Sequence, residues 1–456
     1  MTVRVLAEDT FKHSPALGAT LALLGVKGSV PLLHGAQGCT AAAKVKLVNH
    51  FLEAIPLATT AMDEVGTILG GEENIVEAIV NLAAKANPSL VGLCSTALTA
   101  TRGDDLDGAV HQLRQHQPQL EDLAVAVVPV PDFIGGLQEG FAVAVESLLQ
   151  TFAVAGTPIP GQITVLAGAS LGPADIQELH DLLERFGFCA LIVPDLSDSL
   201  DGHLDVSAEL EESFRPISQG GITIEELRLA GRSEQLIAIG NSVLPAAQRL
   251  AARCEMPLTA IPQLMNLEAC DQLVGHLARW SGRPVPQRDR RQRRQLLDAL
   301  LDSHFYYGGK RFAVALESDR LDGMAAFLAM TGAELQVAIT PQQGDLAALE
   351  DRCDGADLLV ASSQAADLAA RAGIPLHRMG FPITDRLGQG VRLSIGYAGL
   401  VRLLIEIGNQ LLEQELARSA ARRRSDGLPG NNQRPEAVQN RNDRRGSRVR
   451  PGRTER

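Results

Sequence analysis

Aromatic side chains are scarce in this 456-residue chain, at 4% of the total with a single tryptophan, while apolar residues reach 45%. With Ala, Leu, Val and Gly abundant, that profile belongs to a soluble α/β protein and argues against a β-sandwich or a disordered chain. No apolar stretch approaches the ~18 residues that a membrane span needs, and the first residues, MTVRVLAEDTFKHSP, lack an apolar leader core. A cytoplasmic protein with no membrane partner is therefore expected. The six cysteines, Cys39, Cys94, Cys189, Cys254, Cys270 and Cys353, include no C-x-x-C pair. A disulfide framework is not expected in so long a chain, and each cysteine reads first as a small buried apolar residue. Phosphate loops are missing too: no G-x-G-x-x-G opens a strand series, and Gly308-Gly309-Lys310 precedes its strand instead of following it. Nucleotide binding is thus not expected.

Net charge is −12, but residues 418–456 carry +8, which leaves −20 on the rest. So acidic a body argues against nucleic acid as a partner. The tail is rich in Arg, Asn, Gly and Pro and cannot bury enough surface to fold, so 418–456 is expected to be a disordered basic appendage.

Apolar runs alternate with helical patterns. Val30–Leu33, Ser89–Cys94 and Leu123–Val130 form a first series, and runs beginning at Ile163, Cys189 and Leu236 a second. Runs beginning at Arg311, Leu335, Ala356 and Ile374 form a third. Strands spaced by helices of ten or more residues mean βαβ units and parallel sheets. The fold class expected is α/β, with three Rossmann-like doubly wound domains over residues 1–158, 159–304 and 305–417, followed by the tail. The basic stretch 289–312 reads as the start of an amphipathic helix, with Arg290, Arg291, Arg293 and Arg294 as a solvated face, an interface or an anion site.

Ligands in such sheets sit in the loops beyond the carboxyl ends of strands. The loop after Leu33 reads His34-Gly35-Ala36-Gln37-Gly38 and delivers Cys39 to the start of a helix, where negative charge is favoured. Cys39 is placed like a metal ligand, with Gly35 and Gly38 either admitting a bulky group or forming a left-handed turn. His34 is a candidate for a hydrogen bond to such a group, or for packing. Cys94 ends a buried strand and reads as packing. Asp63 and Glu64 read as a helix cap and first-turn charge, and Asp104 as the cap of the next helix. Asp385 and Arg386 are expected to pin a loop at a domain junction.

Four stretches together resemble the nitrogenase component 1 family. They are PALGATLALLGVKGSVPLLHGAQGC (15–39), LVNHFLEAIPLATTAMDEVGTILGGEENI (47–75), CSTALTATRGDDL (94–106), and the late pair DSHFYYGGKRFAVALESD (302–319) with IPLHRMGFPITDRLG (374–388). The resemblance implies three Rossmann-like domains. It also implies three cluster cysteines in a catalytic β subunit, at positions that here hold Ser14, Cys39 and Ala97. One thiolate of three does not make half of an eight-iron cluster. What fits instead is the β-type subunit of a scaffold for iron–molybdenum cofactor assembly, a role that is not enzymatic. There Cys39 would be one ligand of a 4Fe–4S cluster shared with an α-type subunit, NifE, in an α2β2 heterotetramer. The cofactor precursor would be bound mainly by that partner, and the nitrogenase iron protein and a precursor donor would dock. The alternative is the catalytic β subunit of a nitrogenase-like reductase, of the nitrogenase or protochlorophyllide reductase type.

Overall fold

The computed structural model describes residues 11–131, 133–202 and 216–425. Among the described residues, twelve strands form three four-stranded parallel sheets. The first holds β1 (Ser29–Leu33), β2 (Ala58–Thr59), β3 (Leu90–Cys94) and β4 (Ala124–Val128). In the second are β5 (Ile159–Ala167), β6 (Cys189–Val193), β7 (Ser233–Ile239) and β8 (Leu258–Ile261). The third comprises β9 (Arg311–Ala315), β10 (Glu334–Ile339), β11 (Leu358–Ala361) and β12 (Leu376–Arg378). All three share one strand order, second, first, third, fourth. The chain therefore reverses direction beside the first strand of each sheet, and the loops leaving the first and third strands diverge there to open a crevice.

Helices supply the crossovers. Around the first sheet lie α1 (Pro15–Leu24), α2 (Gln37–Phe51), α3 (Glu64–Leu69), α4 (Glu72–Ala86), α5 (Ala97–Arg102), α6 (Leu106–His116) and α7 (Leu137–Phe152). Around the second lie α8 (Pro173–Arg185), α9 (Ile224–Leu229), α10 (Leu244–Cys254), α11 (Leu267–Ser281) and α12 (Gln287–Tyr307). The third adds α13 (Ser318–Thr331), α14 (Leu346–Glu350), α15 (Ala366–Ala372) and the long α16 (Gly396–Ser425).

Strand alternation decides which core each side chain joins. On β1, Leu33 enters a large apolar core that also takes Ile163 of β5 and Val314 of β9, so one core spans all three sheets. Neighbouring Leu32 instead joins Ile75, Ile79 and Leu113 under α4 and α6. On β9, Ala313 and Ala315 face a separate core with Val337, Leu349 and Leu368. Helix α1 is buried at all ten positions. It crosses α7 so closely that a Cβ on Gly18 would lie 1.8 Å from the Leu137 carbonyl oxygen, and one on Gly140 1.9 Å from that of Pro15. Only residues without a side chain permit this crossing.

Helix α12 packs on α16, where the buried Tyr307 hydroxyl donates to the Leu404 carbonyl oxygen at 2.7 Å. Arg293 pairs with Asp271 at 2.7 Å, and Arg290, Arg291 and Arg294 lie in solvent, so this basic stretch is largely a solvated face. The boundary of the expected tail changes: α16 runs through Ser425, so residues 418–425 are helical. Ala and Arg make up six of these eight residues, both good helix formers, and they carry the helix past the last buried position. The remainder of the expected tail, 426–456, lies outside the described residues. Among the described residues, no helix is long and apolar enough to cross a membrane.

Candidate metal centre

At the end of β1 the backbone leaves the sheet. The His34 N–H makes a last ladder bond to the Cys94 carbonyl oxygen at 2.8 Å. Ala36 then caps α2 without a side-chain hydrogen bond, which places Cys39 in the first turn, exposed and free. Only Thr40, Ala43 and Leu47 of this fifteen-residue helix are buried.

Neither Gly35 nor Gly38 has a positive φ, so the left-handed turn is not the reason for either. A Cβ on Gly35 would sit 2.9 Å from Thr96 Oγ1, so the glycine lets the loop after β1 touch the loop after β3. A Cβ on Gly38 would meet nothing within 4 Å, so the space beside Cys39 is open.

His34 is the hub of a latch that neither composition nor motif spacing reveals. It is fully buried, with Nδ1 3.0 Å from Thr60 Oγ1 and Nε2 2.8 Å from Asp104 Oδ2. Its carbonyl oxygen accepts from Thr96 Oγ1 at 2.8 Å, and Thr60 Oγ1 also accepts from the Gly35 N–H at 3.1 Å. Arg102 donates to Asp104 and to the Gly66 carbonyl oxygen. The loops after β1, β2 and β3 are thereby tied together around one imidazole. Burial lowers the His34 pKa, although the Asp104 carboxylate opposes the shift. With both ring nitrogens engaged inside the chain, His34 acts on Cys39 only through the loop it holds.

The expected cap at Asp104 is a correction. Asp105 caps α6, accepting from the Gly108 N–H at 2.8 Å, while Asp104 turns inward to His34 and Arg102. Two adjacent aspartates offered the same capping chemistry, and the buried histidine claimed the first. Asp63 does cap α3, accepting from the Gly66 N–H at 2.7 Å. Asp385 bonds Arg378 and Ser363, so it ties the loop after β12 within the third sheet, while Arg386 is exposed.

Ser14 caps α1, its Oγ accepting from the Leu17 N–H at 3.4 Å, and Ala97 opens α5. Neither offers a metal ligand. Cys94 is buried, and burial pushes its thiol up to about 12, which keeps it protonated as a packed apolar group. His50 accepts from the Ile383 N–H at 2.9 Å and packs on Phe51 and Phe381. Among the described residues, no three His, Cys, Asp or Glu side chains are grouped to hold a metal ion. What this edge offers a cluster is therefore one thiol on a braced loop with open space beside it. That donor set fits a cluster only if the other ligands come from outside the described residues.

Several large apolar side chains of the first sheet's surroundings are exposed: Val45 on α2, Leu52 just past it, Ile68 on α3, Leu98 on α5, and Phe133 with Ile134 beyond β4.

Comparison with known proteins accords with this architecture. Over 427 residues the chain is 44% identical to the nitrogenase iron-molybdenum cofactor biosynthesis protein NifN of Nostoc sp., covering 91% of this chain and 95% of that one. The proteins of the same name from Rhizobium meliloti and Klebsiella pneumoniae are 40% and 38% identical, over 91% of this chain and 98% and 93% of theirs. A chain from the structure titled "Nitrogenase Cp1 at pH 6.5" superposes with a TM-score of 0.85 at 27% identity, covering 91% of this chain and 95% of that chain. Residues 14–412 match the family described as nitrogenase component 1 type oxidoreductase. The chain belongs to the nitrogenase component 1 family and groups within it with the relatives named NifN.

Proposed function

We propose that this chain is the β-type subunit of the scaffold on which the iron–molybdenum cofactor precursor matures before transfer to the catalytic component. Its role is assembly, not turnover. Cys39 supplies one thiolate to a 4Fe–4S cluster shared with the α-type subunit, NifE, in an α2β2 heterotetramer, and that partner supplies the other ligands and holds most of the precursor. The nitrogenase iron protein and a precursor donor dock on the assembled complex. One observation carries this reading: an exposed thiol in the first turn of α2, behind a braced loop, where the other two cluster positions of a catalytic β subunit are a helix cap, Ser14, and a helix-opening alanine, Ala97.

A 4Fe–4S cluster exchanges single electrons at a potential set by its ligands and surroundings. Each part of this edge has its own task. Cys39 holds iron as a thiolate, Gly38 leaves room beside it, the His34–Asp104 latch keeps the loop in place, and the exposed apolar side chains bury themselves against the partner.

The test is co-expression with the α-type chain, followed by iron analysis and electron paramagnetic resonance of the reduced complex. Cys39→Ala is expected to lower cluster occupancy or change its spectrum while the subunits still co-purify. An unchanged signal in Cys39→Ala, or a full cluster on the isolated chain, would sink the proposal.

A further inference from the structure

In a doubly wound sheet the ligand crevice lies where the loops leaving two adjacent strands part, beyond their carboxyl ends. In the second sheet those strands are β5 and β7, which pair side by side and are followed by Gly168 and by Gly240-Asn241-Ser242. That crevice is already filled. Its occupant is the carboxylate of Asp319, which reaches in from the first turn of α13 in the third domain.

The fit is close. Oδ1 accepts from the Asn241 N–H at 3.1 Å, both oxygens stand 3.2 Å from the Ser242 nitrogen, and Oδ2 accepts from the Ser242 hydroxyl at 2.5 Å. A Cβ on Gly240, whose φ is +107°, would lie 2.6 Å from Oδ2, and one on Gly168 would lie 3.2 Å from it. Both glycines are therefore what gives the carboxylate its room. Asp319 is 2% exposed, and among the described residues no Lys or Arg pairs with it. A buried charge without a counter-charge persists where oriented neutral donors receive it, which is how main-chain nests hold free anions. The same residue also reaches the first domain, its own N–H donating to Gln138 Oε1 of α7 at 2.9 Å. Beside it, Asp322 accepts from the Asn241 side chain at 3.1 Å.

We propose that the loops leaving β5 and β7 form a carboxylate-binding site whose ligand is built into the chain, so that Asp319 straps the second domain to the third and closes that crevice to outside anions. The donors and both glycines belong to the second domain alone. Relieved of Asp319, the cradle therefore takes a free monocarboxylate of the size of formate or acetate.

Chemical rescue of the full chain tests this. Asp319→Gly deletes a methylene and a carboxylate, the outline of acetate, and Asp319→Ala leaves room for formate. In chloride, Asp319→Gly should melt below the native chain, and its Asn241 and Ser242 amides should exchange at least about tenfold faster. Acetate at the same ionic strength should raise its thermal midpoint saturably, by at least about 2 °C, and slow those two amides again. The native chain, its cradle full, should show neither response. Asp319→Asn keeps the cradle filled and should be weakened but not rescued. Should Asp319→Gly not fold in chloride, recovery of folded chain on refolding into acetate and not into chloride gives the same answer. The proposal is overturned if neither Asp319→Gly nor Asp319→Ala responds to its anion, or if the native chain or Asp319→Asn responds as strongly as they do. No step involves Cys39 or iron, so the result is independent of the cluster.

Discussion

At the scale of the residue, the informative contrast lies between neighbours of like chemistry and different surroundings. Asp104 and Asp105 are adjacent, yet one closes a buried latch and the other caps an exposed helix end. Asp105→Ala should cost about 1 kcal/mol, the usual worth of an N-cap, and leave iron content alone. Asp104→Ala leaves the imidazole of His34 and the guanidinium of Arg102 without their acceptor. It should cost about 2–3 kcal/mol in chemical denaturation and also lower iron in the co-expressed complex. Equal effects from the two variants would mean that the latch does not position Cys39. Cys94→Ala removes one small buried group and should cost about 1 kcal/mol with iron unchanged.

At the scale of the element, the crossing of α1 on α7 leaves no room for a side chain at Gly18 or Gly140. Gly18→Ala or Gly140→Ala drives a methyl group into backbone that cannot yield as a side-chain tip would. Each should cost about 3 kcal/mol, the upper end of overpacking. A loss within ±0.5 kcal/mol, as at an ordinary surface site, would show that the helices separate freely. This contact was not legible in the sequence, because PALGATLALL reads only as apolar, and what a glycine faces depends on a partner over a hundred residues away. The strands were far more legible. Parallel strands covered on both faces read as unbroken runs, as in LVGLC of β3 or RFAVA of β9. The exceptions were β2, with only two residues, and β8, whose LTAI is half exposed and lacks that density. At the site, Cys39 stood out from its loop motif, whereas Thr60, Thr96 and Asp104 did not. Short polar residues at strand ends are common, and only the third dimension brings these three to one histidine.

At the scale of the whole molecule, buried titratable groups shape the response to pH. His13 and His50 are lowered to about 4 and His377 to about 3, mainly by burial. Their folded values lie below the unfolded value near 6.5, so the unfolded chain binds more protons and stability falls as pH drops from about 6.5 towards 4. Glu317 works in the opposite sense. Its folded value of about 8 lies above the unfolded 4.5, so its contribution is complete below 4.5 and is lost as pH rises through 8. Three histidines outweigh one glutamate on the acid side, which places the greatest thermal stability near neutral pH. Glu317→Gln should abolish the decline between about pH 6.5 and 8, and a decline that persists in that variant would assign it to other groups. Removal of residues 426–456, beyond the last residue of α16, is expected to leave the thermal midpoint and partner association unchanged. A fall of more than a few degrees would give those residues a structural part.

The cores divide the molecule differently from its sheets. Leu33, Ile163 and Val314 belong to one apolar body, whereas α4 and α6 on one side and α14 and α15 on the other cover separate, smaller ones. Local opening follows apolar contact, so these outer helices are the ones that can part from the chain while its centre stays closed. In hydrogen exchange, the amides of β1, β5 and β9 should then share a single slow rate, and those of α4, α6, α14 and α15 should run ahead of it.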